Sequence, residues 1–190
     1  MPAGVGAQSV APPGQAKADY LAWLAQSPGN RENVREFREF LSDRRVGDVL
    51  PTWQLVRTSS SWRECSAERF EVAPEQQWDN IVNTLAFVKD EVRPRIGAVE
   101  ALSAYRNEDL NSCSGGRPAS AHRMFFAMDL VPEGDVERAE LIDELCDAHA
   151  ERGASYDLGL GFYSGVRFHV DSNGFRKWGS DGRGTSSPCN

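Results

Sequence analysis

The sequence predicts an α+β domain, a small and mainly antiparallel sheet with helices packed on one side. Three observations predict it. Apolar residues recur at helical spacing in Glu32 to Leu41, Pro74 to Arg93 and Asp135 to Ala150. Short apolar segments bounded by Gly, Ser and Asn read as strands at Val99 to Tyr105, Phe125 to Leu130, Tyr156 to Tyr163 and Val166 to Val170. Hydrophobic residues make up 40% of 190, enough for one core.

Taken in order, Met1 to Gln15 is rich in Pro, Gly and Ala and predicts a flexible leader, whether a disordered start or the stub of a removed signal segment. Residues 16–70 predict a helical and irregular extension. Ala16 to Ala25 and Glu32 to Leu41 read as two short helices, with Asn30 as the N-cap of the second and Val34, Phe37 and Leu41 on one face. Val46 to Phe70 gives no clean period, with a strand expected near Trp53 to Val56.

Residues 71–178 hold the remaining periodic segments. Pro74 opens a helix that carries Trp78, Ile81, Val82, Leu85 and Val88 and is expected to end near Arg93, before Pro94, with Gly97 marking the turn. A strand from Val99, a helical turn over Asn107 to Cys113 and the strand Phe125 to Leu130 follow. Asp135 is the expected cap of a helix reaching Ala150, and Ser164-Gly165 joins the last two strands in a hairpin-like turn. The Gly/Ser-rich residues 179–190 read as a flexible tail.

A net charge of -7 and a pI near 5.0 argue against nucleic acid as a partner, which would require a basic face. No apolar run is long enough to span a bilayer. Cys65, Cys113, Cys146 and Cys189 contain no C-x-x-C pair, which excludes a cysteine zinc ribbon. Their even number allows disulfides in an exported protein, or buried thiols in a cytosolic one.

Of three histidines, His122 and His169 stand in segments dense with Gly, Ser and Asp, while His149 reads as a packed residue on its helix. His122 and Asp129 enter and leave one expected strand. Imidazole and carboxylate suit Zn²⁺, and His169 supplies a third ligand that leaves one position open. Alternation along Arg167-Phe168-His169-Val170-Asp171 puts His169 and Asp171 on one face. The plain alternative is surface or capping chemistry with no metal at all. Ser59 to Ser61 lack a G-x-S-x-G context, and Gly115-Gly116 lacks the Lys of a phosphate loop.

At these residues the chain resembles the zinc D-Ala-D-Ala carboxypeptidases, which share a hedgehog-type zinc fold. Ser120-x-His122 followed by Ala127-x-Asp129 resembles their S-x-H-x-x-G-x-A-x-D signature, and Leu102 to Asn111 resembles their S-G-Y-R-S-x-x-x-N segment. Gly159-Leu160-Gly161-Phe162-Tyr163, Phe168-His169-Val170-Asp171, Arg176 and Trp178 resemble the closing motifs of the exported branch, and Trp78 to Val82 the helix before them.

The resemblance implies one zinc ion on His122, Asp129 and His169, with Arg106 holding a substrate carboxylate or carbonyl oxygen, and Ser120 and Tyr163 lining the substrate site. It implies hydrolysis of peptidoglycan stem peptides, as a carboxypeptidase or endopeptidase, in the periplasm or otherwise outside the cytoplasm. Two departures stand out. Phe125 occupies the usual Gly position, and Val166 stands where several members carry an acid three residues before the last zinc histidine. Asp171 is the remaining catalytic carboxylate, either as general base or as a partner orienting His169. A zinc-containing module that binds cell-wall peptide without cutting it is the rival expectation.

Overall fold

Five strands build one sheet in the order β1-β2-β4-β3-β5, where β1 is Val99–Ser103, β2 Ala127–Pro132, β3 Gly159–Phe162, β4 Phe168–Asp171 and β5 Arg176–Trp178. The computed structural model describes residues 11–190. Three neighbouring pairs are antiparallel, and β3 with β5 is parallel, so the sheet is mixed. Seven α-helices accompany it among the described residues: α1 Lys17–Gln26, α2 Pro28–Asp43, α3 Thr52–Leu55, α4 Val82–Phe87, α5 Arg93–Ile96, α6 Glu108–Cys113 and α7 Arg138–Arg152.

Register gives the sheet two chemically distinct faces. Met128 and Leu130 pair with Val170 and Phe168, which pair with Leu160 and Phe162. Together with Leu141, Leu145 and Ala148 of α7 and Leu85 of α4 they form part of one buried cluster. Each of the Val, Leu, Met and Phe side chains among them contributes about 1.5–3 kcal/mol by burial. On the other face Ser103, Asp129, His169, Gly161 and Trp178 lie side by side across all five strands, with Ala127, Asp171, Gly159 and Arg176 in the next row. A bulge between Ala101 and Ser103 brings Ser103 opposite Asp129.

The extension over 16–70 packs on the body through Val34, Phe37 and Leu41, as their spacing predicts, with Phe37 5.3 Å from Trp78. Ser27, not Asn30, caps α2: its hydroxyl accepts from Gly29 N–H and Pro28 takes the first turn, where no N–H is needed. Asn30 instead donates to Trp23 O. Thr52–Leu55 is helical, where a strand was expected, with Gln54 Oε1 accepting from Ala101 N–H. The backbone beyond it covers the β1 edge, Ala104 N–H donating to Arg57 O and Ser103 Oγ to Thr58 O.

Helical structure from Glu75 does not stop before Pro94. It runs as a 3-10 segment (Glu75–Ile81), α4, a π segment (Val88–Val92) and α5. The wide π turn, with Arg93 N–H reaching back to Val88 O, carries the chain past a proline that has no N–H to give. Gly97 then ends it at φ 80°. Helix α7 begins at Arg138 after Glu137, so Asp135 lies in the preceding loop. Gly153–Tyr156 is a 3-10 turn, which delays β3 to Gly159, and β5 was not foreseen as a strand.

Two disulfides, Cys65–Cys113 and Cys146–Cys189, take up all four cysteines. The second ties residues 179–190, expected as a loose tail, to α7, and Lys177 Nζ donates to Cys189 O. For the leader read over residues 1–15, residues 1–10 lie outside the described residues, while Gln15 is buried and its carbonyl accepts from Arg57 Nε. No helix among the described residues is long and apolar enough to cross a membrane.

Candidate metal centre

His122, Asp129 and His169 converge although they lie far apart in the chain: one ligand atom from each falls within 4.8 Å of the others, and all three side chains are buried. Asp129 and His169 are direct cross-strand neighbours on β2 and β4. His122 arrives from the turn before β2, where Ser120 Oγ accepts from His122 N–H and Phe125 adopts φ 57°. That left-handed position is the one where the resembled signature has Gly, which reaches it without strain. Phe125 holds it through burial, 5.7 Å from Phe37 and 6.2 Å from Tyr105.

The protonation pattern suits a cation. His122 Nδ1 lies 2.6 Å from Ala104 O, and a carbonyl only accepts, so Nδ1 carries the hydrogen. Burial, with Arg106 adding to it, lowers the His122 pKa to about 4, so the ring is neutral at neutral pH. Its Nε2 lone pair is then buried without a hydrogen-bond partner, 3.3 Å from the acceptor Asp129 Oδ1. His169 Nδ1 is 3.0 Å from the same oxygen. Both separations are of the length that atoms sharing one metal ion keep between them.

Asp171 stands beside His169 on the same face of the sheet but does not line the cleft. Its Oδ2 takes His169 Nε2 at 2.9 Å, both oxygens take Arg176 at 2.9 Å, and Oδ1 takes Asn173 N–H. Burial favours a neutral His169 ring, but hydrogen bonds to Asp129 and Asp171 outweigh it and raise its pKa. Burial likewise pushes Asp129 up, and His122 and Arg106 more than reverse this, holding it well below the usual carboxylate range.

Gly159 and Gly161 leave the room these groups need. A Cβ on Gly161 would come 2.3 Å from the Trp178 indole, which lies 5.0 Å from His169, and one on Gly159 would meet Asp171 Oδ2 at 2.5 Å.

The cluster opens into a cleft of about 880 Å³. Arg106 reaches it with Nη2 2.6 Å from Asp129 Oδ2 and Nε on Ser103 Oγ. Tyr163 donates its hydroxyl to Asp129 Oδ1 at 2.9 Å, and burial, reinforced by that carboxylate, raises its pKa, so it stays protonated. Ser120 also lines the cleft, as do Ser59 to Ser61 and Gly115-Gly116. His149 lies apart, stacked 4.4 Å from Phe175 with Nε2 near Leu158 O and Arg176 O.

Sequence reasoning passed over Arg167, whose Nη2 lies 2.7 Å from Asp129 Oδ2. The signal was present, since the alternation that pairs His169 with Asp171 places Arg167 on the same face. No protein-family model matches the chain, and no curated protein or solved structure does.

Proposed function

We propose that the chain is a zinc-dependent peptidase of the D-Ala-D-Ala carboxypeptidase type, acting on peptidoglycan stem peptides outside the cytoplasm. One observation carries the reading: a buried imidazole lone pair faces a buried carboxylate oxygen with no proton between them, and a second imidazole completes the set. Such an arrangement is costly unless a cation joins it. His122 Nε2, Asp129 Oδ1 and His169 Nδ1 would hold the ion, with His169 Nε2–H kept on Asp171. A zinc ion there supplies Lewis acidity, polarising a carbonyl and lowering the pKa of a water.

The surrounding residues bind and orient. Arg106 offers a guanidinium to a substrate carboxylate, and Tyr163 offers a proton-bearing hydroxyl at the centre. Of the two roles open to Asp171, we assign the orienting one, because both its oxygens are committed inside the protein. The two disulfides favour an exported protein.

A second reading has a specific observation behind it. Val166 packs its side chain on the core where the resembled family carries an acid, and the carboxylates lining the cleft are Asp129 and Asp181. This favours a zinc-containing module that binds cell-wall peptide with little or no cleavage. Metal analysis of protein purified without added zinc tests the shared premise. Wild type is expected to hold about one zinc per chain and His122→Ala none. A zinc-free wild type, or full zinc in the variant, refutes it. Mass spectrometry of stem peptides after incubation separates the readings, since released alanine marks the peptidase.

A further inference from the structure

Asp129 divides its two oxygens between different partners. Oδ1 faces both imidazoles and the Tyr163 hydroxyl, whereas Oδ2 takes the guanidinium groups of Arg106 at 2.6 Å and Arg167 at 2.7 Å. A cation among the imidazoles therefore belongs on Oδ1, and both arginines keep their places on Oδ2. One carboxylate does not balance a divalent cation and two guanidinium ions. Asp171 adds nothing on this side, being occupied by Arg176 and His169. Asp181, the other acid of the cleft, is exposed and turned to Ser186 and the Arg183 N–H. The loaded site has an excess of positive charge, in a chain whose net charge is -7.

Arg167 is built to present that charge. Its guanidinium lies over the Tyr163 ring, 4.9 Å from the centroid. Its Nε is buried without a hydrogen-bond partner, and its side chain is 30% exposed on the cleft wall. A planar fork with donors to spare beside a second one matches a carboxylate.

The geometry points to Arg167 as a specificity-determining residue that, with Arg106, grips a free terminal carboxylate. The inference rests on the peptidase reading above, which it deepens.

Calorimetric titration of the full chain with N-acetyl-D-alanine and with its amide tests it, zinc content being measured on the same samples. Wild type is expected to prefer the acid by about tenfold or more, as one charged hydrogen bond implies. Arg167→Gln should lose that preference by weakening the acid alone, and Arg167→Lys should restore part of it, with zinc content unchanged. Equal affinity for acid and amide in wild type, or a preference that survives Arg167→Gln, overturns it. Zinc bound without acid preference sinks this inference and leaves the metal reading intact. An Arg167-dependent acid preference in a zinc-free protein does the reverse.

Discussion

Replacing Asp171 by Asn separates two kinds of carboxylate. The substitution keeps shape and one acceptor, so Arg176 and the Asn173 N–H retain a partner. What goes is the anionic acceptor 2.9 Å from His169 Nε2, so the ring loses the group that fixes its tautomer with Nδ1 free. Loss of such a partner weakens zinc by about 10- to 100-fold, or about 1.4–2.7 kcal/mol. Competition with a chromophoric chelator would measure this directly, and peptide turnover at saturating zinc would be measured alongside. A positioning carboxylate predicts weaker metal and activity that largely returns with added zinc. Unchanged zinc affinity with turnover lowered by about 10²–10⁴-fold is the signature of a general base and would refute the assignment.

Other outcomes follow from the same geometry. Unfolding of the metal-free chain frees His122 from a folded pKa of about 4 to its ordinary 6.5, so the unfolded state takes up more protons between these values. Stability should therefore fall as pH drops through that window, by about 3 kcal/mol from this residue, and His122→Gln should flatten the slope in urea titrations. His169 has the opposite sign: its pKa is raised, so the stability it adds is full below pH 6.5 and is lost as pH rises from there through the raised folded value. Zinc uptake just above pH 6.5 should consequently release about one proton, read by calorimetry in buffers of different ionisation enthalpy, and no buffer dependence would count against it. Gly161→Ala drives a methyl into the Trp178 indole and should cost about 1–3 kcal/mol, a fall of several degrees in Tm. An unchanged or higher Tm would show that the indole yields freely.

The legible parts of the chain were those with local causes. Val34, Phe37 and Leu41 bury at helical spacing, the turn read over Asn107 to Cys113 is helical from Glu108, and Gly97 and Gly165 take the positive φ expected of turns. His122, Asp129 and His169 were readable as ligand types, and the sheet register brings the last two together. Misreadings came from competition between neighbours or from distant partners. Ser27 won the cap from Asn30 because Pro28 fits the first turn, and the π segment that carries a helix past Pro94 has no short-range signal. β5 is only Arg176–Trp178, too short for a period, and its place comes from parallel pairing with β3. Arg167 shared the face of His169 by alternation, but its partner Asp129 is 38 positions earlier, so nothing nearby marked it as part of the site.

Both rims of the cleft are fastened outside the sheet. Cys65–Cys113 anchors one beside Ser59 and Ser114, whose hydroxyls meet at 3.1 Å, and Cys146–Cys189 tethers the tail whose Ser180 to Gly182 lie along the other. A newly made chain in a reducing compartment would own the imidazole cluster yet lack fixed banks for a peptide to lie between. On the peptidase reading proposed above, hydrolytic competence would then wait on thiol oxidation.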